Sequence, residues 1–208
     1  MNMTVPTQTE THTLTISAFH WQALALFVDP KDVRYHINGV NISAHHLTAT
    51  NGHVLLCLEH GHDFGDFLPK HGITVELFKA GTKRVDGKDP TVSLTISEPG
   101  GTNYGKVQAT CTASPGVVQN LEVRMQDYPD YERVIPTHDD NDTLSHANYV
   151  DAKYLELIGK AGVLLSKGAG RMTMPMNICG PENSAMLVTF RDLPQARAVV
   201  MPLQLNAR

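Results

Sequence analysis

The chain has 208 residues, of which 41% are apolar, 18% charged and 6% aromatic, enough for one large domain or up to two small ones and a core that needs no disulfide staples. Its formal charge of −4 gives no overall basic field of the kind that marks a nucleic-acid binder, although a local patch would suffice. Cys57, Cys111 and Cys179 are sparse and form no CxxC pair, which reads as reduced thiols in a cytoplasmic protein; the first residues lack the pattern of a signal peptide, and no run nears the roughly 18 apolar residues of a membrane span.

Taken in chain order, three segments share one pattern of strand, helix and further strands. In the first, His12, Leu14 and Ile16 alternate with threonines, which predicts a half-buried strand. Ser17 follows as an N-cap for the helical AFHWQALALFV, and Asp29-Pro30 stops it. RYHINGVNI, HLTAT and HVLLCLE then read as strands separated by Asn-Gly turns. The second segment opens with a short helix expected through Val75–Ala80, followed by strands in TVSLTIS, KVQATCTA and LEVRMQ. An acidic stretch over 137–143 precedes the third segment. That segment is expected to hold a helix over Asp151–Ala161 closed by Gly162, then strands in RMTMPMNI, SAMLVTF and AVVMPLQL.

Charge follows the same division. Residues 1–136 carry ten Lys/Arg against fourteen Asp/Glu, whereas residues 149–208 carry seven against four. In the third helix, Lys153, Glu156 and Lys160 share a face, and the expected second helix would group Glu76, Lys79 and Lys83. Such faces could meet phosphates or could be solvated Glu–Lys pairs.

Chemistry finds little footing. His45-His46 and His60-Gly61-His62-Asp63 lack zinc-ligand spacing, so no metal site is expected, and a small metal-dependent hydrolase is a distant reading. No nucleophile elbow, P-loop or dinucleotide fingerprint is present, the cysteines sit in apolar strands, and Met172, Met174 and Met176 read as one face of a strand in which Pro175 marks an edge or bulge. Neither catalysis nor a cofactor is expected.

Five blocks without obvious chemistry remain: DVRYHINGV at 32–40, LTATNGHVLLC at 47–57, FLPKHGITVEL at 67–77, YPDYERVIP at 128–136 and AVVMPLQL at 198–205. In this order they resemble the bacterial DNA polymerase III β subunit, the β sliding clamp. The resemblance implies an α+β fold of βαβββ modules. On that template residues 10–136 form a complete clamp domain of two modules, 10–64 and 65–136, and residues 144–208 form half of another. A family ring has twelve modules, so four chains of three could close one, with C-terminal modules paired across a two-fold axis.

The resemblance also implies a non-enzymatic processivity factor that encircles duplex DNA without regard to sequence. Its partners would be a DNA polymerase, other clamp-motif proteins and the clamp loader. Ile37, Thr50, Gly52, His53, Leu55, Pro129, Arg133, Val134, Val199, Val200, Met201, Pro202 and Leu203 fall at positions of the family's peptide-binding cleft. Val54 and Gln204 stand where the family has arginine. Tyr35 and His36 match a DNA-contacting pair, and Lys79, Lys83, Lys153 and Lys160 are candidates for the lining of the hole. A clamp mimic that keeps the cleft without closing a ring is the alternative.

Overall fold

The computed structural model describes residues 10–97, 106–114, 117–124, 128–136, 149–181 and 184–203. The expected linker over 137–143 and Gln204 lie outside them.

The threonine-rich alternation forms β1 (Thr11–Ser17), with Leu14 buried, and Ser17 caps α1 (Ala18–Ala25) by accepting from the Phe19 N–H. A run of turns leads to β2 (Val40–Ile42), then β3 (His46–Thr50) and β4 (Val54–Glu59). The strand expected over RYHINGVNI is thus confined to its last three residues; in its earlier part Ile37 N–H bonds the Arg34 carbonyl, a local turn.

The second segment contributes β5 (Ile73–Val75), β6 (Thr91–Ser97), β7 (Lys106–Cys111), β8 (Val118–Leu121) and β9 (Val123–Arg124). No helix forms between Val75 and Ala80, which corrects the expectation there. Val75 is held in β5 between β2 and β9, and the carbonyls of Phe78 and Ala80 accept from Trp21 Nε1 at 3.1 Å and Gln22 Nε2 at 2.7 Å. With its acceptors claimed by α1, this stretch needs no helical ladder of its own.

The third segment is α2 (Ala152–Gly168), β10 (Met176–Cys179), β11 (Met186–Phe190) and β12 (Ala196–Val200). The helix runs past Gly162, which is buried inside it; a Cβ there would meet Met176 Sδ at 3.1 Å. Gly162 admits a neighbour and does not end the helix. Only the last residues of RMTMPMNI form a strand, and Pro175 precedes an edge strand.

Among the described residues all strand pairs are antiparallel and make two sheets, one ordered β1-β6-β7-β8 and the other β10-β11-β12-β4-β3-β2-β5-β9. The joint between β12 and β4 fuses the end of the chain to its first segment, with Val199 opposite Leu55 and Val200 opposite Val54. Beneath it α1 packs on α2, and one core runs from Trp21 and Phe27 to Ile158, Leu165 and Phe190. Among the described residues no helix is long and apolar enough to cross a membrane.

Candidate functional site

A cleft of about 260 Å³ opens on the β4–β12 seam. Leu55 and Val199 form part of its lining and are nearly inaccessible themselves, joined by Val54. One wall is the turn between β3 and β4. There Thr50 Oγ1 donates to the Val54 carbonyl at 2.8 Å and accepts from the Gly52 N–H at 3.0 Å. Asn51 Oδ1 accepts from the N–H groups of His53 and Val54, an Asx-type lock on the turn. Gly52 has φ +86, and the Arg34 guanidinium lies so close that a Cβ would stand 2.6 Å from Nη1. The left-handed backbone favours glycine at this position, and a Cβ would in addition displace the Arg34 guanidinium.

Arg34 is fixed on the rim. Its Nε and Nη2 reach the two Asp32 oxygens at 2.9 and 2.6 Å, and Nη2 also donates to the Asn51 carbonyl at 3.0 Å. Hydrogen bonds from Arg34 hold the Asp32 carboxyl down to about 2, so this pair is charged at any physiological pH.

The opposite wall is the segment Tyr128–Val134, which ends in a 3-10 turn over Tyr131–Val134. Tyr128 is buried with its hydroxyl 3.5 Å from the Thr48 carbonyl, and burial pushes its phenol up. Tyr131 Oη lies 3.3 Å from both His46 Nδ1 and Ser43 Oγ. Behind it, the Cys57 thiol is raised to about 11 by burial, which makes it a poor nucleophile at neutral pH. At the mouth, Val134 and Met201 are 44% and 41% exposed, apolar surface turned to solvent.

Of the thirteen residues expected in a cleft, Ile37, Thr50, Gly52, His53, Leu55, Pro129, Val134, Val199 and Met201 line this one. The other four do not. Arg133 is exposed away from it, Val200 faces the main core, Pro202 is half-buried, and Leu203 donates its N–H to the Tyr149 carbonyl at 2.7 Å. Alternation explains Val200: in a strand, neighbours of an inward residue point to the other face. Arg34, His36, Val54, Tyr128, Asp130 and Tyr131 complete the lining. Both tyrosines stood in the YPDYERVIP block. Arg34 stood in the DVRYHINGV block, but its place on the rim depends on the fold of the 32–37 turn.

Among the residues expected to meet DNA, His36 lines the cleft, whereas Tyr35 is half exposed beside it. Lys153 and Lys160 stand on the exposed face of α2, paired with Asp151 at 3.0 Å and Glu156 at 2.8 Å. Lys79 and Lys83 are exposed but belong to the irregular stretch after β5, so the expected second cationic helix face is absent. Among the described residues no group of three or more His, Cys, Asp or Glu is placed to hold a metal ion.

No family model matches the chain, and no curated protein does. Solved structures do match. A DNA polymerase III β-subunit sliding clamp from Bartonella birtlesii, bound to griselimycin, aligns over 99% of this chain and 69% of its own, with a TM-score of 0.59 and 16% identity. The β subunit from Borrelia burgdorferi, in complex with a natural product, gives 0.59 at 14% identity over 99% and 67% of the two chains. The Pseudomonas aeruginosa sliding clamp with ligand gives 0.56 at 18% identity over 99% and 70%. At such identities the likeness establishes the fold: this chain has the mixed α+β architecture of a DNA clamp in shortened form.

Proposed function

We propose that the chain is a non-enzymatic, clamp-like processivity factor that binds short linear peptides of its partners in the seam cleft and tethers them to DNA as an oligomeric ring. The observation that carries this reading is the convergence of Ile37, of residues from the 50–55 and 128–134 stretches, and of Val199 and Met201 on one mostly apolar groove with an Arg34–Asp32 ion pair at its rim. Such a groove suits an extended peptide with an apolar anchor, oriented by a few polar contacts. Arg34 on the rim is ion-paired to Asp32 and Val54 adds no cation, which points to a peptide preference shifted from that of the family.

The test is binding of a clamp-motif peptide followed by fluorescence anisotropy. Met201→Arg is expected to weaken binding at least tenfold while leaving the circular dichroism unchanged; undiminished binding would refute the cleft assignment. Tethering to DNA is a separate claim. Its contacts would be to phosphate, through Lys153, Lys160, Lys79, Lys83 and Tyr35, and therefore salt-sensitive.

A second reading is favoured by the carboxylate partners of Lys153 and Lys160 and by the lack of cations on α1. On that reading the protein is a clamp mimic that occupies clamp-binding partners without enclosing DNA. Retention on closed circular plasmid with release on linearisation supports the ring; peptide binding without such retention supports the mimic.

A further inference from the structure

The first and third segments are built alike: α1, β2, β3 and β4 have counterparts in α2, β10, β11 and β12. They are related by a pseudo-two-fold through the seam, because the sheet order β10-β11-β12-β4-β3-β2 reads the same from either end. What lies beyond that symmetric block differs. On one side the second segment covers the first: β5 pairs with the outer edge of β2, and in return β1 pairs with β6. On the other side the outer edge of β10 has no strand against it among the described residues.

The helices show the same asymmetry. Aligned on their N-caps, Ser17 and Asp151, the two helices put Leu155 where α1 has Trp21, Gly159 where it has Ala25, and Ile158 where it has Leu24. Leu24 and Ile158 are both in the core. Trp21, however, is fully buried because Phe78 and its neighbours cover it, their ring centroids 4.7 Å apart, whereas Leu155 is 42% exposed. Around Gly159 a Cβ would meet nothing within 4 Å. Met176, on β10 and 41% exposed, packs over Gly162 and so joins the open helix flank to the open strand edge.

We infer that this face, made of the β10 edge and the Leu155–Gly159–Val163 flank of α2, is covered by the C-terminal segment of a second copy of the chain across a two-fold axis. Two features of the fold choose this occupant. The covering body in the first half is a segment of related build that exchanges strands reciprocally with the one it covers. Moreover, a strand edge beside an apolar helix flank is self-complementary under two-fold rotation. The contact deepens the ring reading above, since it is one of the joints such a ring requires.

Sedimentation velocity from low micromolar concentration upward is expected to show reversible association to dimers or multiples of them. Leu155→Arg, at a position already half exposed, should lower the mass of the assembly by removing this joint, with unchanged circular dichroism, and Met176→Lys should do the same. Hydrogen exchange supplies a readout independent of the variants: the β10 amides should gain protection as concentration rises. A single-chain mass at every concentration would overturn the inference. So would an assembly whose mass is unchanged in both variants, or one that forms with no change in β10 exchange. Peptide affinity measured on Leu155→Arg separates the two proposals, because the cleft does not include this face. Association without peptide binding sinks the cleft reading alone, and peptide binding by a permanent monomer sinks this contact alone.

Discussion

Trp21 is fully buried on α1, with its indole N–H bonded to the Phe78 carbonyl. Trp21→Phe keeps an aromatic ring but leaves that carbonyl unanswered and a void beside it, so it is expected to cost about 2–4 kcal/mol. A lower urea midpoint at unchanged slope would report it; an unchanged midpoint would mean that water replaces the bond. His46 illustrates how a neighbour sets a tautomer. The Arg197 guanidinium, 3.5 Å from Nε2, can only donate, which favours the tautomer with the proton on Nδ1, 3.3 Å from the Tyr131 oxygen. Burial, then the Arg197 charge, lowers this imidazole below 6.5, and burial lowers His20 and His60 in the same direction. The folded state thus resists protons that the unfolded chain accepts. Stability is complete above the unfolded value of 6.5 and falls as pH drops through that value toward the lowered folded ones. A urea midpoint lower at about pH 5 than at about pH 7.5, with the difference reduced in His46→Gln, is the expected result; equal midpoints would contradict it.

Among the elements, β1, β6 and β7 were legible from sequence because strict alternation survives as alternating burial along each of them. The stretch after β5 was not. Its composition, VELFKA, favours a helix locally, but β5 pairing holds its first residue and α1 side chains claim its carbonyls, both of which are tertiary facts. The glycines mislead in the same way. Gly162 looks like a helix stop and instead makes room for Met176. Gly72, at φ +72, turns the chain into β5 where a Cβ would run into the Ile42 carbonyl. Gly72→Ala therefore meets both a strained backbone and a clash that would pry β5 from β2. A loss of at least about 1–3 kcal/mol in a thermal or urea melt is expected, and wild-type stability in that variant would show that the turn can be redrawn.

At the scale of the whole molecule, part of the groove was legible only because short blocks resembling the clamp family could be matched in order; periodicity alone gives core strands and turns. Rim residues such as Arg34 and Asp130 escaped because their position depends on how turns far apart in sequence meet in space. On the proposed reading a bound peptide would touch the first segment, the 128–134 stretch and Met201 together, and so would stabilise the fold as a whole. Saturation at a hundredfold excess over Kd corresponds to about 2.7 kcal/mol, visible as an upward shift in Tm that Met201→Arg should cut by about half or more. A peptide that binds without raising Tm would have to bind elsewhere. The seam itself carries a further consequence. Because Leu55 and Val199 face each other across the β4–β12 joint and the groove opens upon it, neither half of the chain owns a recognition surface. The molecule can display its groove only while its tail is zipped to its head. On the proposed reading, whatever loosens that zipper would lower apparent affinity by the fraction of time it is open, so that partner capture would also test the fold's own closure.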